Sequence, residues 1–307
     1  MDPTVMPRPT GAISERFARL RPPRHQSLGR REVAETRMDG QTSAEEKIAS
    51  ITRLNGALLS CFCAFMNGLL AFCGRPKFYP RIETRRQMEK SIDPGRSNVV
   101  GVIHTSGGFL QAGIPGLDAV EVRVDALSVP PPARQIAELP VAAIVTVRCA
   151  EEGGLQSISD EDRREKYFAL LPTAAAVDLE LRSAESMSDL RETILREGKT
   201  LILSLHDFHS TPPLTDLENA CAKMRDLGAS ILKVATKTGS ISEVSRLLTL
   251  LEHSPTPLAV MGMGALGGAS RLLFAKAGSA LNYGWLDKPQ VSGQWSAKEF
   301  LELLART

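Results

Sequence analysis

Net charge is nearly absent from this 307-residue chain, which sets 37 Lys and Arg against 35 Asp and Glu. The balance hides a division: residues 1–96 carry +7 and residues 97–307 carry −5. A mildly acidic larger part argues against a broad nucleic-acid-binding face there. Cysteine is also scarce. The five present (Cys61, Cys63, Cys73, Cys149 and Cys221) are odd in number and unpatterned, which excludes a disulfide scaffold and fits a reducing, cytoplasmic setting. No Gly-x-Gly-x-x-Gly follows the first apolar run, and no phosphate loop is found, so a nucleotide-binding fold has no support. The glycines that do cluster, at Met261–Gly264 and Gly267–Gly268, lie far along the chain.

Two regions follow from composition. Residues 1–97 form an extension whose first fifty positions are rich in Arg, Pro, Ser and Thr, with little apolar periodicity. Such a segment cannot bury enough surface to offset its ordering entropy, so disorder is expected. Within it, 54–74 is an uncharged run of 21 residues, long enough to cross a bilayer. Its glycines, asparagines and serine keep the hydrophobicity moderate, and it lacks the position and cleavage site of a signal peptide. We read it as a loosely packed helix, or as translated sequence upstream of a start nearer Met88, rather than as a membrane anchor.

Residues 98–307 alternate strand and helix signals. Short runs rich in Val, Ile and Leu predict strands at 99–104, 119–124, 141–147, 177–181, 200–205, 230–234, 257–261 and 279–283. Helical periodicity falls at about 161–171, 186–197, 214–227, 240–252, 268–277 and 296–305. Eight strands joined mostly by helices predict an α/β fold with a parallel sheet closed as a (β/α)8 barrel, an open doubly wound sheet being the alternative. The glycine cluster then follows the seventh strand, where barrels often bind an anion.

In such a barrel the active site is built at the C-terminal strand ends, and the polar residues fall there. Alternation places Glu121, Arg123 and Asp125 on one side of the second strand. Arg148 ends the third strand, with Glu152 in a glycine-flanked loop after it; Asp178 and Glu180 lie on the fourth, His206 on the fifth and Lys233 on the sixth. Lys233 is flanked by Ile231, Leu232, Val234 and Ala235. Loss of hydration disfavours its charged form and frees the amine to form an imine with a carbonyl substrate. The plainer reading is an ammonium paired with Glu121 or Asp178. His206 can act as acid and base near neutrality, or be a core histidine satisfied by backbone. With His209 it makes a His-x-x-His pair, but no third ligand is apparent and no metal is expected. Glu152 can orient His206, and Arg271, beside the glycine cluster, can clamp a carboxylate bidentately or be an ordinary helix-face arginine. Cys149 reads as a small packing residue.

Six strings in order carry a family resemblance: Glu121-Val-Arg123-Val-Asp125, Val-Arg148-x-x-Glu-Glu152-Gly-Gly, Ser204-Leu-His206-Asp207-Phe208-His-x-Thr-Pro, Lys233-Val-Ala, Ser270-Arg271-Leu and Gly293-Gln294. Across residues 98–307 the chain resembles type I 3-dehydroquinate dehydratase. The resemblance implies a cofactor-free lyase of the shikimate pathway (aromatic amino acid biosynthesis) that removes water from 3-dehydroquinate, in syn fashion, to give 3-dehydroshikimate. It implies Lys233 as the Schiff-base residue, His206 as the acid and base, and Glu152 as its partner. Arg271, Gln294, Glu121, Arg123 and Arg148 would contact the substrate. Homodimers are common in the family.

The sequence departs from the family pattern at the loop that closes the site. The usual Ser-Ala-Pro-Gly-Gln is here Gln290-Val-Ser292-Gly-Gln294, so Gln290 stands where a serine would touch substrate. About 210 residues is also short for the architecture, which predicts trimmed loops and outer helices. Another Schiff-base barrel enzyme, such as an aldolase, would account for Lys233 but not for the His206 string. A non-catalytic relative that binds quinate-type ligands would be expected to have lost Lys233 or His206, and both are present.

Overall fold

A computed structural model of the chain describes residues 90–291 and 293–306. Residues 1–89 of the extension, among them the apolar segment 54–74, lie outside the described residues, as do Ser292 and Thr307. Among the described residues no helix is long and apolar enough to cross a membrane.

Eight strands form one parallel sheet: β1 (Asn98–Ile103), β2 (Ala119–Arg123), β3 (Ala142–Thr146), β4 (Ala176–Glu180), β5 (Thr200–Asp207), β6 (Ile231–Lys237), β7 (Leu258–Met263) and β8 (Leu281–Trp285). Their hydrogen-bonded order runs β7-β6-β5-β4-β3-β2-β1-β8, with β8 returning to lie beside β1. The remaining junction, β7 to β8, is bridged by Ala280 N–H donating to Leu258 O (2.9 Å) and Val260 N–H donating to Ser279 Oγ (3.1 Å). The sheet is therefore a nearly closed barrel, as the alternation of strand and helix signals predicts.

Seven α-helices accompany the strands among the described residues: α1 (Ala133–Ala137), α2 (Asp160–Leu170), α3 (Ser188–Arg196), α4 (Leu214–Asp226), α5 (Ile241–His253), α6 (Gly267–Lys276) and α7 (Ala297–Arg306). The trimming falls on the first crossover. Between β1 and β2 stands only a 3-10 turn, Ser106–Gln111. Gly107, Gly108, Gly113 and Gly116 crowd this connection, and each disfavours helix by about 1 kcal/mol relative to Ala. The single-turn α1, which periodicity does not reveal, follows three consecutive prolines, Pro130–Pro132. The eighth strand begins two residues later than predicted. Ser279 is used instead by the end of α6, its N–H donating to Phe274 O.

Period-two alternation divides the buried residues into two clusters. One side of each strand, including Val120, Val122, Val145, Leu201, Leu203, Leu232 and Val234, packs against the helices. The other side faces the barrel axis through Val100, Val102, Ala119, Ala142, Ile144, Ala176, Ile202, Ile231 and Ala259. Small alanines at several of these axial positions suit a narrow interior. Moving along the strands toward their C-terminal ends, the axial positions of β2 to β6 change from apolar to polar or charged.

Candidate active site

Lys233 sits midway along β6, in register with Ser204 of β5 and Ala259 of β7. Its amine donates to Asp178 Oδ2 at 2.7 Å and Glu121 Oε1 at 3.1 Å, and stands 4.1 Å from the centroid of the Tyr283 ring. The paired arrangement weighed from sequence is therefore the one observed, and both carboxylates take part. Asp178 is shared with Arg148, whose Nη2 lies 2.9 Å away, and its other oxygen accepts from Ser204 Oγ (2.6 Å). Arg148 Nη1 also reaches Glu180 Oε1 (3.2 Å) and Ser204 Oγ (2.6 Å). Burial opposes the charge on Asp178, but Arg148 and Lys233 outweigh it and hold the carboxyl below the usual carboxylate range. Glu121 also accepts from Thr146 Oγ1 (2.9 Å). Buried charges are costly unless paired in this way.

Two positions along β5, His206 meets Glu152. The Glu152 Oε2 atom lies 3.0 Å from both the backbone N and Nδ1 of His206. Glu152 ends the 3-10 turn Ala150–Glu152, and Gly153 follows with φ +85, a left-handed conformation that favours glycine. A Cβ on Gly153 would also lie 2.6 Å from Phe208 Cζ, and one on Gly154 would lie 2.4 Å from Arg148 O. The two glycines thus let the loop fold tightly enough to bring Glu152 under the imidazole. Burial, reinforced by the positive charges of Arg148 and Lys233, pushes His206 well below its ordinary value. Burial also pushes the Glu152 carboxyl up to about 7, with the negative charge of Glu180 adding to the rise and Arg148 opposing it. The neutral imidazole is therefore favoured. With Glu152 ionised, Nδ1 carries the hydrogen and Nε2 keeps a lone pair. The Phe208 ring stacks on His206, their centroids 6.5 Å apart.

Arg123 makes a bidentate pair with Asp125 (2.9 and 2.8 Å), and the fully buried Asp125 also accepts from the Arg148 N–H (3.0 Å). Arg271 is different. It is buried on α6, donating to Gly262 O (3.2 Å) and Tyr283 O (3.4 Å), and burial lowers it to about 10. Among the described residues no carboxylate pairs with it, so its cation is available to an anionic ligand. Gly262 permits this approach, since a Cβ there would lie 2.2 Å from Ser270 Oγ. On the loop after β8, Gln290 N–H donates to Gln294 Oε1 (3.2 Å), which ties the two glutamines together.

The nine residues singled out from sequence (Glu121, Arg123, Arg148, Glu152, His206, Lys233, Arg271, Gln290 and Gln294) all line one cavity of about 300 Å3 at the C-terminal end of the barrel. Sequence reasoning assigned nothing to Tyr283, Met261 or Met263, which supply much of the apolar wall. Tyr283 shares its strand side with Leu281, and both face the barrel axis. Two further residues weighed from sequence are placed as follows. Cys149 is buried and its thiol is pushed up to about 12 by burial, which leaves it a packing residue. His209 is exposed on a turn, its N–H donating to Asp207 Oδ1, while His206 faces Glu152.

Comparison with known proteins agrees with this geometry. A family model for Type I 3-dehydroquinase matches residues 111–306. A 3-dehydroquinate dehydratase of Desulfotalea psychrophila is 36% identical over 198 residues, covering 62% of this chain and 88% of the relative. The crystal structure of the 3-dehydroquinate dehydratase from Aquifex aeolicus superposes with a TM-score of 0.61 at 28% identity, over 68% of this chain and 98% of that one. A type I 3-dehydroquinate dehydratase from Clostridium difficile, solved with covalently modified comenic acid, gives a TM-score of 0.61 at 25% identity, covering 69% and 92% of the two chains. The chain belongs to the type I 3-dehydroquinase family.

Proposed function

We propose that Lys233, His206 and Glu152 carry out the dehydration of 3-dehydroquinate through a Schiff base in this cavity. The observation that carries the reading is the placement of the Lys233 amine between two carboxylates, in one cavity with a histidine–glutamate pair and an arginine lacking a counter-ion. Arg271 binds the substrate carboxylate, which supplies the anion that its buried guanidinium lacks. The Lys233 amine, its proton passed to Glu121, adds to the substrate ketone. Loss of water from that adduct gives an iminium.

The iminium withdraws electrons from the neighbouring CH2, and His206 Nε2 takes a proton from it. The electron pair left behind forms an enamine. That enamine expels the hydroxyl two carbons from the iminium carbon as water, protonated by the same imidazole. Hydrolysis then consumes one water, offsetting the one released on imine formation, and frees Lys233 and 3-dehydroshikimate, for a net loss of one water. Glu152 holds the Nδ1 hydrogen and so keeps Nε2 directed at substrate. Arg123, Arg148, Glu121, Gln290 and Gln294 supply polar contacts around the ring. The cytoplasm as its place of action rests on the odd, unpatterned cysteines, and a homodimer rests on the family alone.

Borohydride trapping tests the reading. Incubated with 3-dehydroquinate and reduced, the protein is expected to gain the mass of a reduced adduct on the Lys233 peptide, and Lys233→Ala is expected to gain none. Saturable binding without an adduct would leave a ligand-binding protein, and neither adduct nor binding would overturn the assignment.

A further inference from the structure

The turn that carries Glu152 is held from behind by residues that the chemistry above does not use. Glu180, at the end of β4, is fully buried, and each of its oxygens has an assigned partner. Oε1 accepts from the Cys149 N–H at 2.9 Å and from Arg148 Nη1 at 3.2 Å. Oε2 pairs with Arg163 Nη2. Cys149 is the residue on which the Glu152 turn closes, since its carbonyl accepts from the N–H groups of both Glu152 (3.1 Å) and Gly154 (2.9 Å). Arg163 reaches Glu180 from α2, on the outer side of the barrel. It is itself fixed by Val147 O (2.8 Å), Ser183 Oγ (3.1 Å) and Asp160 (2.6 Å). A fully buried guanidinium spending four contacts behind a strand is costly unless it holds something in place.

We propose that Glu180, braced by Arg163, is a positioning residue for the Glu152–His206 pair: it fixes the turn that presents Glu152 and places a negative charge beneath it. The inference rests on the proposed roles of Glu152 and His206. The groups facing Glu152 are Arg148 from the end of β3, Glu180 from β4, Arg182 after it, His206 from β5 and Cys149 in its own turn. The negative charge of Glu180 resists the ionisation of Glu152, in the same direction as burial. Neutralising Glu180 therefore makes Glu152 ionise at lower pH.

The test compares Glu180→Gln with wild type in kcat, KM, pH profile and borohydride trapping. The amide keeps an acceptor for the Cys149 N–H but loses the charge. Expected are a kcat lowered by roughly 10- to 100-fold through misplacement of the pair, and a KM within about twofold. The acid limb of kcat should move to lower pH, and the Lys233 adduct should still form to the wild-type extent. A folded Glu180→Gln with wild-type kcat and an unmoved acid limb would overturn the inference. If Glu180→Gln does not fold, Arg163→Ala and Arg163→Lys decide it: the lysine is expected to recover most of the kcat that the alanine loses, and equal, wild-type rates in both would overturn it. Wild-type protein without turnover of 3-dehydroquinate would instead overturn the underlying functional reading.

Discussion

The barrel interior has two unlike sectors at the level of the active site. The axial positions of β2 to β6 present Glu121, Thr146, Asp178, Glu180, Ser204, His206 and Lys233. Those of β7, β8 and β1 present Ala259, Met261, Met263, Leu281, Tyr283, Val100 and Val102. The cation on the apolar side, Arg271, comes from helix α6 rather than from a strand, and it lacks the carboxylate partners that Lys233 and Arg148 have. A paired sector suits proton and imine chemistry, because its charges are already compensated before substrate arrives. Among the described residues the apolar sector holds a single cation without a carboxylate partner, which in the proposed function selects an anionic group. Desolvation strengthens both effects, since electrostatic interactions grow as water is excluded.

Substitutions separate the sectors by the kind of damage they do. The largest effect is expected from Lys233→Ala, which should lower kcat/KM by at least about 10³-fold by removing the nucleophile. His206→Ala should cost roughly 10²- to 10⁴-fold while leaving the borohydride adduct on Lys233. Next comes stability. Arg148→Met leaves Asp178 and Glu180 short of a partner and should lower unfolding free energy by about 3–5 kcal/mol in chemical denaturation. Equal stability of that variant and wild type would show that the paired sector does not depend on its ion pairs.

Across the cavity, Arg271→Ala should raise KM by roughly 10- to 100-fold with little change in protein stability, because it breaks contacts to two carbonyls and no ion pair. Steady-state kinetics with a substrate analogue lacking the carboxylate should show no such difference. The smallest effect is expected from Met261→Leu on the apolar wall, under about 1.5 kcal/mol by thermal unfolding, because volume and polarity are conserved.

Acidity sharpens the comparison further. Glu152 is held at about 7 by burial and by Glu180, and the proposed mechanism needs it ionised, so kcat should rise with pH through about 7. Glu152→Gln should remove that limb. For stability the sign is opposite. The folded-state value lies above the ordinary 4.5, so the folded protein holds a proton that the unfolded chain has already lost between these two values. The stabilisation that Glu152 contributes is full below about 4.5 and is lost as pH rises through about 7. Denaturation midpoints of wild type and Glu152→Gln, measured from pH 5 to 8, should therefore diverge in favour of the glutamine variant as pH rises.

What the sequence determined by itself is the part of the fold governed by short-range geometry. Period-two alternation placed Glu121 and Arg123 together on one side of a strand, and strand ends placed Arg148 and His206 at a common rim, whereas Lys233 lies deeper, midway along β6. The helices from 160 onward fell within a few residues of their predicted bounds because their apolar faces repeat regularly. Local reasoning missed the single-turn α1 after Pro130–Pro132 and set β8 two residues early, where Ser279 serves the end of α6.

The tertiary structure decided which charges meet. Lys233 lies 55 residues from Asp178 and 112 from Glu121 in sequence, and only the closure and stagger of the barrel bring them within hydrogen-bond distance. The same closure stacks the Lys233 ammonium on Tyr283 and leaves Arg271 without a carboxylate partner among the described residues. It also places Glu180 beneath the turn that carries Glu152. Side-chain direction along a strand is set by the backbone of a few residues, whereas the partner across the barrel is set by the summed geometry of all eight strands. No local pattern contains that sum.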